Sequence, residues 1–212
     1  MHWHNVGLVR RPPGFIEPCL PTNSQTVPTG PQWVYEIKHD GYRFICRRDC
    51  DRVRVFSRRG NDHTDRAPGI AAALMALKVK SVTIDGEGVV CGPDGVTDFN
   101  RLRAVLGRAG SHQAFLYAFD LLELDGIDLR REPWETRRMT LVSLLRKPAD
   151  GIRLCEHIEG TDGTTIFGHA CAMGLEGIVA KRRDRPYRSG RSPDWIKVKN
   201  PDAPAATRLI EA

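Results

Sequence analysis

This 212-residue sequence has no apolar run long enough to cross a membrane as a helix, and Met1-His2-Trp3-His4 opens no signal-peptide pattern. No membrane partner is expected, and the cytoplasm is the default location. The six cysteines, at positions 19, 46, 50, 91, 155 and 171, contain no Cys-x-x-Cys pair, and no Cys/His cluster has zinc-site spacing. That excludes a zinc ribbon or finger and predicts reduced, mostly buried thiols. A Cys46–Cys50 disulfide across Arg47-Arg48-Asp49 is conceivable but not needed. There is neither an internal repeat nor a low-complexity tract. What remains is an ordinary core-forming composition, 41% hydrophobic, with a formal net charge of +6. A modest basic excess suits a polyanionic partner, although a solvated basic surface explains it equally well.

Five of the fourteen prolines fall within residues 1–30, which read as an extended arm. Residues 31–200 read as the folded domain and 201–212 as a loose tail. Strands are predicted at Trp33–Ile37 and at Phe44–Arg47 with Val53–Phe56, a hairpin. An Ala/Leu-rich helix is expected over Ile70–Leu77. Strands Val82–Ile84 and Gly88–Cys91 lead to a turn at Gly92-Pro93-Asp94-Gly95. Asp98 should cap a helix over Phe99–Leu106 that ends at Gly107. Phe115–Leu122 reads as a buried strand, followed by an Asp125-Gly126 turn and Ile127–Leu129. Pro133–Leu145 is predicted helical, with Met139, Leu141, Val142, Leu144 and Leu145 as its apolar face. Ile152–His157 is a strand and Thr164–Met173 a helix closed by Gly174. Ile178–Ala180 and Trp195–Val198 are the last strands. Without regular β-α alternation this is an α+β pattern, with helices on largely antiparallel sheets.

Several clusters carry chemistry. Glu36-Ile37-Lys38-His39-Asp40-Gly41-Tyr42-Arg43 places a nucleophilic amine, a carboxylate, a turn-forming glycine and an arginine within six residues of Lys38. Downstream come Phe56-Ser57-Arg58-Arg59-Gly60, Asp85-Gly86-Glu87-Gly88-Val89-Val90, and Phe119-Asp120-Leu121-Leu122-Glu123-Leu124-Asp125-Gly126. Glu176-Gly177-Ile178-Val179-Ala180-Lys181 and Trp195-Ile196-Lys197-Val198-Lys199 complete the set. Lys197 and Lys199, two apart on a strand, share a face. Each cluster has an ordinary reading too: strand-end or edge-strand lysines, surface glutamates beside glycine turns, and an aromatic core residue in Phe119.

The ordered set, from about Phe15 to Asn200, resembles the nucleotidyltransferase (adenylation) domain of ATP-dependent DNA ligases. It is most similar to the ligase domain of bacterial end-joining ligases. The resemblance implies two twisted sheets flanked by helices, an ATP-grasp-like fold with a nucleotide between the sheets. It implies ATP as source of AMP, Mg²⁺ (or Mn²⁺) as metal, and nicked double-stranded DNA as substrate. A separate DNA-binding or end-joining partner belongs to the same expectation. RNA ligases and capping enzymes share the superfamily and remain the alternative, as does a non-catalytic DNA- or partner-binding module.

By the same resemblance Lys38 is the nucleophile that takes AMP. A free lysine is neutral in only about one molecule in a few thousand at pH 7, so neighbouring cations and desolvation must favour the amine. Lys197 and Lys199 would supply that field and hold the α-phosphate. Glu176 and Glu87 are the metal candidates, with Glu87 alternatively on the ribose. Phe119 would stack on adenine, and Glu36 and Arg43 would reach the nucleoside, with Asp40 and Gly41 completing the first motif. Arg58 would bind phosphate, with Arg59 as the bystander, and Lys181 would approach the nucleotide phosphate. His39 fills a variable position and has no role by resemblance. Arg182, Arg183, Arg185, Arg188 and Arg191 offer a DNA-backbone contact or a solvated loop. The family's ligases continue into an oligonucleotide-binding barrel, which residues 201–212 do not contain, so slow self-adenylylation is expected of this chain alone.

Overall fold

The computed structural model describes residues 11–108, 112–147, 150–160 and 162–203. In chain order the elements are β1 (Cys19–Asn23), β2 (Trp33–Ile37), β3 (Tyr42–Asp49), β4 (Arg52–Ser57), a 3₁₀ turn at Thr64–Arg66, α1 (Pro68–Ala76), β5 (Ser81–Val89) and α2 (Phe99–Leu106). There follow β6 (Phe115–Leu124), β7 (Ile127–Asp128), α3 (Trp134–Leu144), β8 (Ile152–Leu154), β9 (His157–Glu159), α4 (Gly163–Ala172), β10 (Gly177–Arg182) and β11 (Gly190–Lys199). One sheet has the order β1-β11-β10-β2-β9, the other β4-β3-β5-β6-β7 with β8 paired to β6. Pairing is antiparallel apart from β1–β11 and β6–β8. Among the described residues the fold is α+β with two sheets and four α-helices. Among the described residues no helix is long and apolar enough to cross a membrane.

Three apolar clusters bind the layers. Phe44, Ile84, Leu116 and Leu121 of the second sheet pack against Ile70 and Leu74 of α1, Leu102 of α2 and Leu141 of α3. Ile45, Phe56, Phe119, Leu122, Tyr187 and Trp195 fill the space between the sheets. On the far side of the first sheet, Tyr35, Ile178, Ala180 and Val198 pack against Ala170 of α4. The order is therefore helices, sheet, sheet, helix, and the inter-sheet layer is where a site can form.

Local signals set much of this. Asp98 accepts the Arg101 N–H as N-cap of α2, and Gly107 closes that helix by donating to Arg103 O. The hairpin β3–β4 forms over the expected residues, and both Cys46 and Cys50 are free thiols, as are the other four cysteines. The tail beyond residue 203 lies outside the described residues, as does Met1–His4. Within the Pro-rich stretch, Cys19–Asn23 is a strand of the first sheet.

Three expectations are corrected. The break between Val82–Ile84 and Gly88–Cys91 does not exist, because Ser81–Val89 is one strand. Its Gly88 is there for close approach, not a turn: a Cβ at that position would collide with the Phe44 ring. Ile152–His157 is two strands, β8 in the second sheet and β9 in the first. The chain crosses between sheets at Cys155-Glu156, with Cys155 N–H donating to Ala118 O at 2.8 Å. The apolar face assigned to α3 holds only in part: Leu141, Leu144 and Leu145 pack on the core, but Met139 is 64% exposed and Val142 43%. The buried face is Trp134, Arg137, Arg138 and Leu141, a helical i, i+3, i+4, i+7 stripe.

That stripe exists because Arg137 reaches Asp120 of β6 with two bonds, Nε to Oδ1 at 2.7 Å and Nη2 to Oδ2 at 2.8 Å. Both side chains are buried, 0% and 1% exposed. Arg137 Nη1 also donates to Glu132 O at 2.6 Å and Arg185 O at 3.3 Å. Removing one member of such a pair strands a buried charge. Asp120→Ala should therefore lower the unfolding free energy by about 3–5 kcal/mol in urea denaturation. An Asp120→Leu/Arg137→Met double variant should lose clearly less, and an equal loss would show that the missing ion pair, not a stranded charge, causes the destabilisation.

Candidate active site

β2 delivers Lys38 to the inter-sheet space. Tyr35 of β2 faces the α4 side, so its neighbour Glu36 points the other way, into the cavity that Lys38 also lines. Lys38 N–H donates to Gly177 O at 2.9 Å, and Asp40 N–H donates to Thr97 Oγ1 at 3.2 Å. The chain then passes to β3 of the second sheet through Gly41. That glycine has no positive φ. It is required because a Cβ would strike the Gly88 carbonyl oxygen of β5, so the turn function read from sequence is in fact a packing function.

A cavity of 190 Å³ lies between the sheets, lined among others by Glu36, Lys38, Arg43, Arg58, Glu87 and Phe119. Val179, Lys181, Trp195 and Lys197 of β10 and β11 complete the first-sheet wall beside Glu36 and Lys38, facing Arg43, Glu87 and Phe119 of the second sheet. It opens into a wider groove of 940 Å³ lined by Arg11, Gly41, Arg58, Arg59 and Asn61. A separate groove of 720 Å³ on the other side of Lys38 is lined by His39, Asp40, Asp98 and Glu176. The fold thus brings eight of the expected residues into one cavity and leaves Asp40 and Gly41 in adjoining grooves. Lys199 has the strand parity of Lys197, but it pairs with Gly177 at the end of β11 and is exposed, outside the cavity wall. Arg58 lines the cavity, whereas Arg59 reaches only the wider groove.

Phe119 sits at an irregularity in the pairing of β5 and β6. The β5–β6 register matches Asp85 with Asp120 and then Gly86 with Ala118, skipping Phe119. Phe119 shares the inter-sheet face with Tyr117 by ordinary alternation, while Leu116 and Ala118 face the helices; past the bulge the phase changes, so Leu121 joins the helix side and Leu122 the inter-sheet cluster. Arg43 lies over its ring at 4.3 Å, as does Lys181 Nζ, also at 4.3 Å. Lys181 is 1% exposed, pairs with Glu36 Oε2 at 2.7 Å, and sits 4.0 Å from the Trp195 ring. Its ammonium is committed to the cavity floor.

The electrostatics follow from six cationic side chains (Lys38, Arg43, Arg58, Lys181, Arg191 and Lys197) against two carboxylates, Glu36 and Glu87, in the lining. Burial and then the charges of Lys38, Lys199, Arg58 and Arg191 push the Lys197 ammonium below its usual range. Burial drives Glu87 up to about 7, against the opposing pull of Lys38 and Arg43 and with added repulsion from Glu176. Lys38 Nζ is 2.6 Å from Glu176 Oε2. Arg43 donates to both oxygens of Asp85, at 2.5 Å and 2.7 Å, so it is a wall held in place from behind. The arginine-rich stretch is largely self-neutralised: Arg182 pairs with Asp184 at 2.9 Å, Arg183 with Glu135 at 2.7 Å, and Arg188 with Asp194 at 3.9 Å. Trp195 and Arg191 were not singled out for the cavity, though Trp195 shares strand parity with Lys197. An amine, fixed cations, a buried aromatic face and two carboxylates in one cleft suit attack on a nucleotide phosphate.

Comparison with known proteins agrees. Residues 20–199 match the family model for the ATP dependent DNA ligase domain. The multifunctional non-homologous end joining protein LigD of Pseudomonas aeruginosa is 37% identical over 188 residues, covering 88% of this chain and 22% of that protein. The chain thus spans about a fifth of that relative's length. The crystal structure of the ligase domain of Mycobacterium tuberculosis LigD superposes with a TM-score of 0.73 at 34% identity, covering 86% of this chain and 60% of the other. A mycobacterial DNA ligase D complexed with ATP and MES gives 0.73 at 33% identity, with 86% and 59% covered. This chain belongs to the ATP-dependent DNA ligase family, as an adenylation (nucleotidyltransferase) domain of the kind found in bacterial end-joining ligases.

Proposed function

We propose that Lys38 takes AMP from ATP and that the chain passes it to the 5′-phosphate of nicked double-stranded DNA in cytoplasmic end-joining repair. The observation that carries this reading is the placement of Lys38 in one cavity with Lys197, Arg58 and Phe119. The lone pair of Lys38 Nζ attacks the α-phosphorus. The bond to the bridging oxygen breaks, pyrophosphate leaves with that electron pair, and the amine gives up a proton. Lys197 and Arg58 offset charge growing on the phosphate oxygens, where fixed donors act most strongly. Phe119 and Trp195 hold the base, and Glu36 and Arg43 bound the nucleoside end. The DNA ligase relatives favour this reading over RNA ligation or capping. A separate DNA-binding or end-joining partner is part of the same proposal.

A divalent cation is implied by the family. Glu176 and Glu87 both interact with Lys38 and with each other, and hard carboxylate oxygens suit Mg²⁺ or Mn²⁺. Among the described residues no cluster of three or more His, Cys, Asp or Glu is gathered. The two glutamates fit an ion held jointly with phosphate, which is how Mg²⁺ is usually bound. Such an ion would neutralise phosphate charge. Glu176, by turning its charge to the ion, would release Lys38 from its ion pair.

Intact mass after incubation with ATP and Mg²⁺ should show one AMP per chain, mapped to Lys38 and absent in Lys38→Ala with the melting temperature kept. An adduct on another lysine would sink the assignment. Lys197→Ala should slow adduct formation by roughly 10²–10³, and Lys199→Ala, outside the cavity, should slow it far less. Equal effects would place both lysines on the phosphate. Glu176→Ala should shift the Mg²⁺ titration of adduct formation to higher concentration, and an unchanged titration would remove Glu176 from the metal site.

A further inference from the structure

His39 lies between the nucleophile of the proposed reaction and Asp40, and it lines both the cavity and the groove beside it. Its ring lies flat on Tyr117, with centroids 4.2 Å apart and planes 14° from parallel. Tyr117 belongs to β6 of the second sheet, where the Phe115 ring packs edge-on against it at 4.9 Å. His39 belongs to the segment leaving β2 of the first sheet. The stack therefore bridges the two sheets one residue from Lys38.

The backbone around it is held on each side. Lys38 N–H is tied to Gly177 O at 2.9 Å in the first sheet, and Asp40 N–H to Thr97 Oγ1 at 3.2 Å in the loop before α2. The side chain between these anchors supplies the contact with the second sheet, whose β5 and β6 carry Glu87 and Phe119. The distance from Lys38 Nζ to a nucleotide stacked on Phe119 depends on how the sheets sit at this point. Burial and then the charge of Lys38 push the His39 imidazole down to about 4. The ring is thus neutral at neutral pH and adds no cation beside Lys38.

We infer that His39 is a positioning residue for adenylyl transfer, its stack on Tyr117 holding the Lys38 turn at reacting depth between the two sheets. It acts through Lys38 and touches none of the reacting atoms. The inference rests on the reading that Lys38 accepts AMP.

The test is single-turnover formation of the AMP adduct over a range of ATP concentrations, followed by intact mass. His39→Ala should slow the step at saturating ATP about three- to tenfold, the rate equivalent of an aromatic pair, with half-saturating ATP unchanged. His39→Phe keeps a flat face and should recover most of the rate. Tyr117→Ala should match His39→Ala, and the double variant should be no slower than either single one, because both remove the same contact. A wild-type rate in His39→Ala, a His39→Phe as slow as His39→Ala, or additive losses would each overturn the inference. If the alanine variants do not melt cooperatively, His39→Gln decides. It keeps polarity and size without a stacking face, so a wild-type rate overturns the inference and a slow rate with unchanged ATP half-saturation supports it. No adduct on the unaltered chain would remove this inference together with the reading beneath it, whereas a normal adduct with an undiminished His39→Ala rate removes this inference alone.

Discussion

Asp85 sits in the middle of β5 with no exposed surface, and three donors converge on it. Arg43 Nε and Nη2 donate from β3 at 2.5 Å and 2.7 Å, and the Tyr187 hydroxyl donates at 2.5 Å. The same hydroxyl accepts the Cys19 N–H of β1 at 2.8 Å. One buried carboxylate thereby joins the second sheet to the edge of the first and to the loop between β10 and β11. An isolated charge there would cost several kcal/mol, so the network holds only when all its members are in place. Asp120, directly across the β5–β6 ladder, repeats the device with Arg137. Two acids opposite each other would repel, and each having its own arginine allows both to stay buried.

The cavity depends on that frame. Arg43 is fixed by Asp85 with its guanidinium over Phe119, so the aromatic wall is backed by an anchored cation. Lys181 is held likewise by Glu36 and by two ring faces. The cations left facing the opening are Lys38, Lys197, Arg58 and Arg191. Burial and then the charges of its cationic neighbours lower the Lys197 ammonium.

The arginine-rich segment shows why net charge is a poor guide to a binding surface. Five arginines between 182 and 191 read as a cationic patch, yet Asp184, Asp194, Glu135 and Glu159 answer most of them. Two of these acids come from distant elements, α3 and β9, and no local reading of residues 182–191 includes them. The α3 face holds only in part for a related reason. Leu, Val and Met content marked one side of the helix, but the deep ion pair with Asp120 outweighed the apolar residues and turned Arg137 and Arg138 inward.

The sequence by itself determined what depends on neighbours along the chain. The Asp98 cap and Gly107 stop of α2, the β3–β4 hairpin and the limits of β2 were all legible, because caps, turns and strand periods are local. The motif order was also enough to name the chemistry and the residues Lys38, Glu36, Arg58 and Lys197 that share the cavity. Only the tertiary structure decided which same-parity lysine enters the site and where Phe119 points. Lys199 lies outside the cavity lining because the strand runs past its edge, and Phe119 faces the inter-sheet space with Tyr117. The stacking of His39 on Tyr117 was equally invisible, since 78 positions separate the two rings and only the packing of one sheet on the other brings them within 4.2 Å.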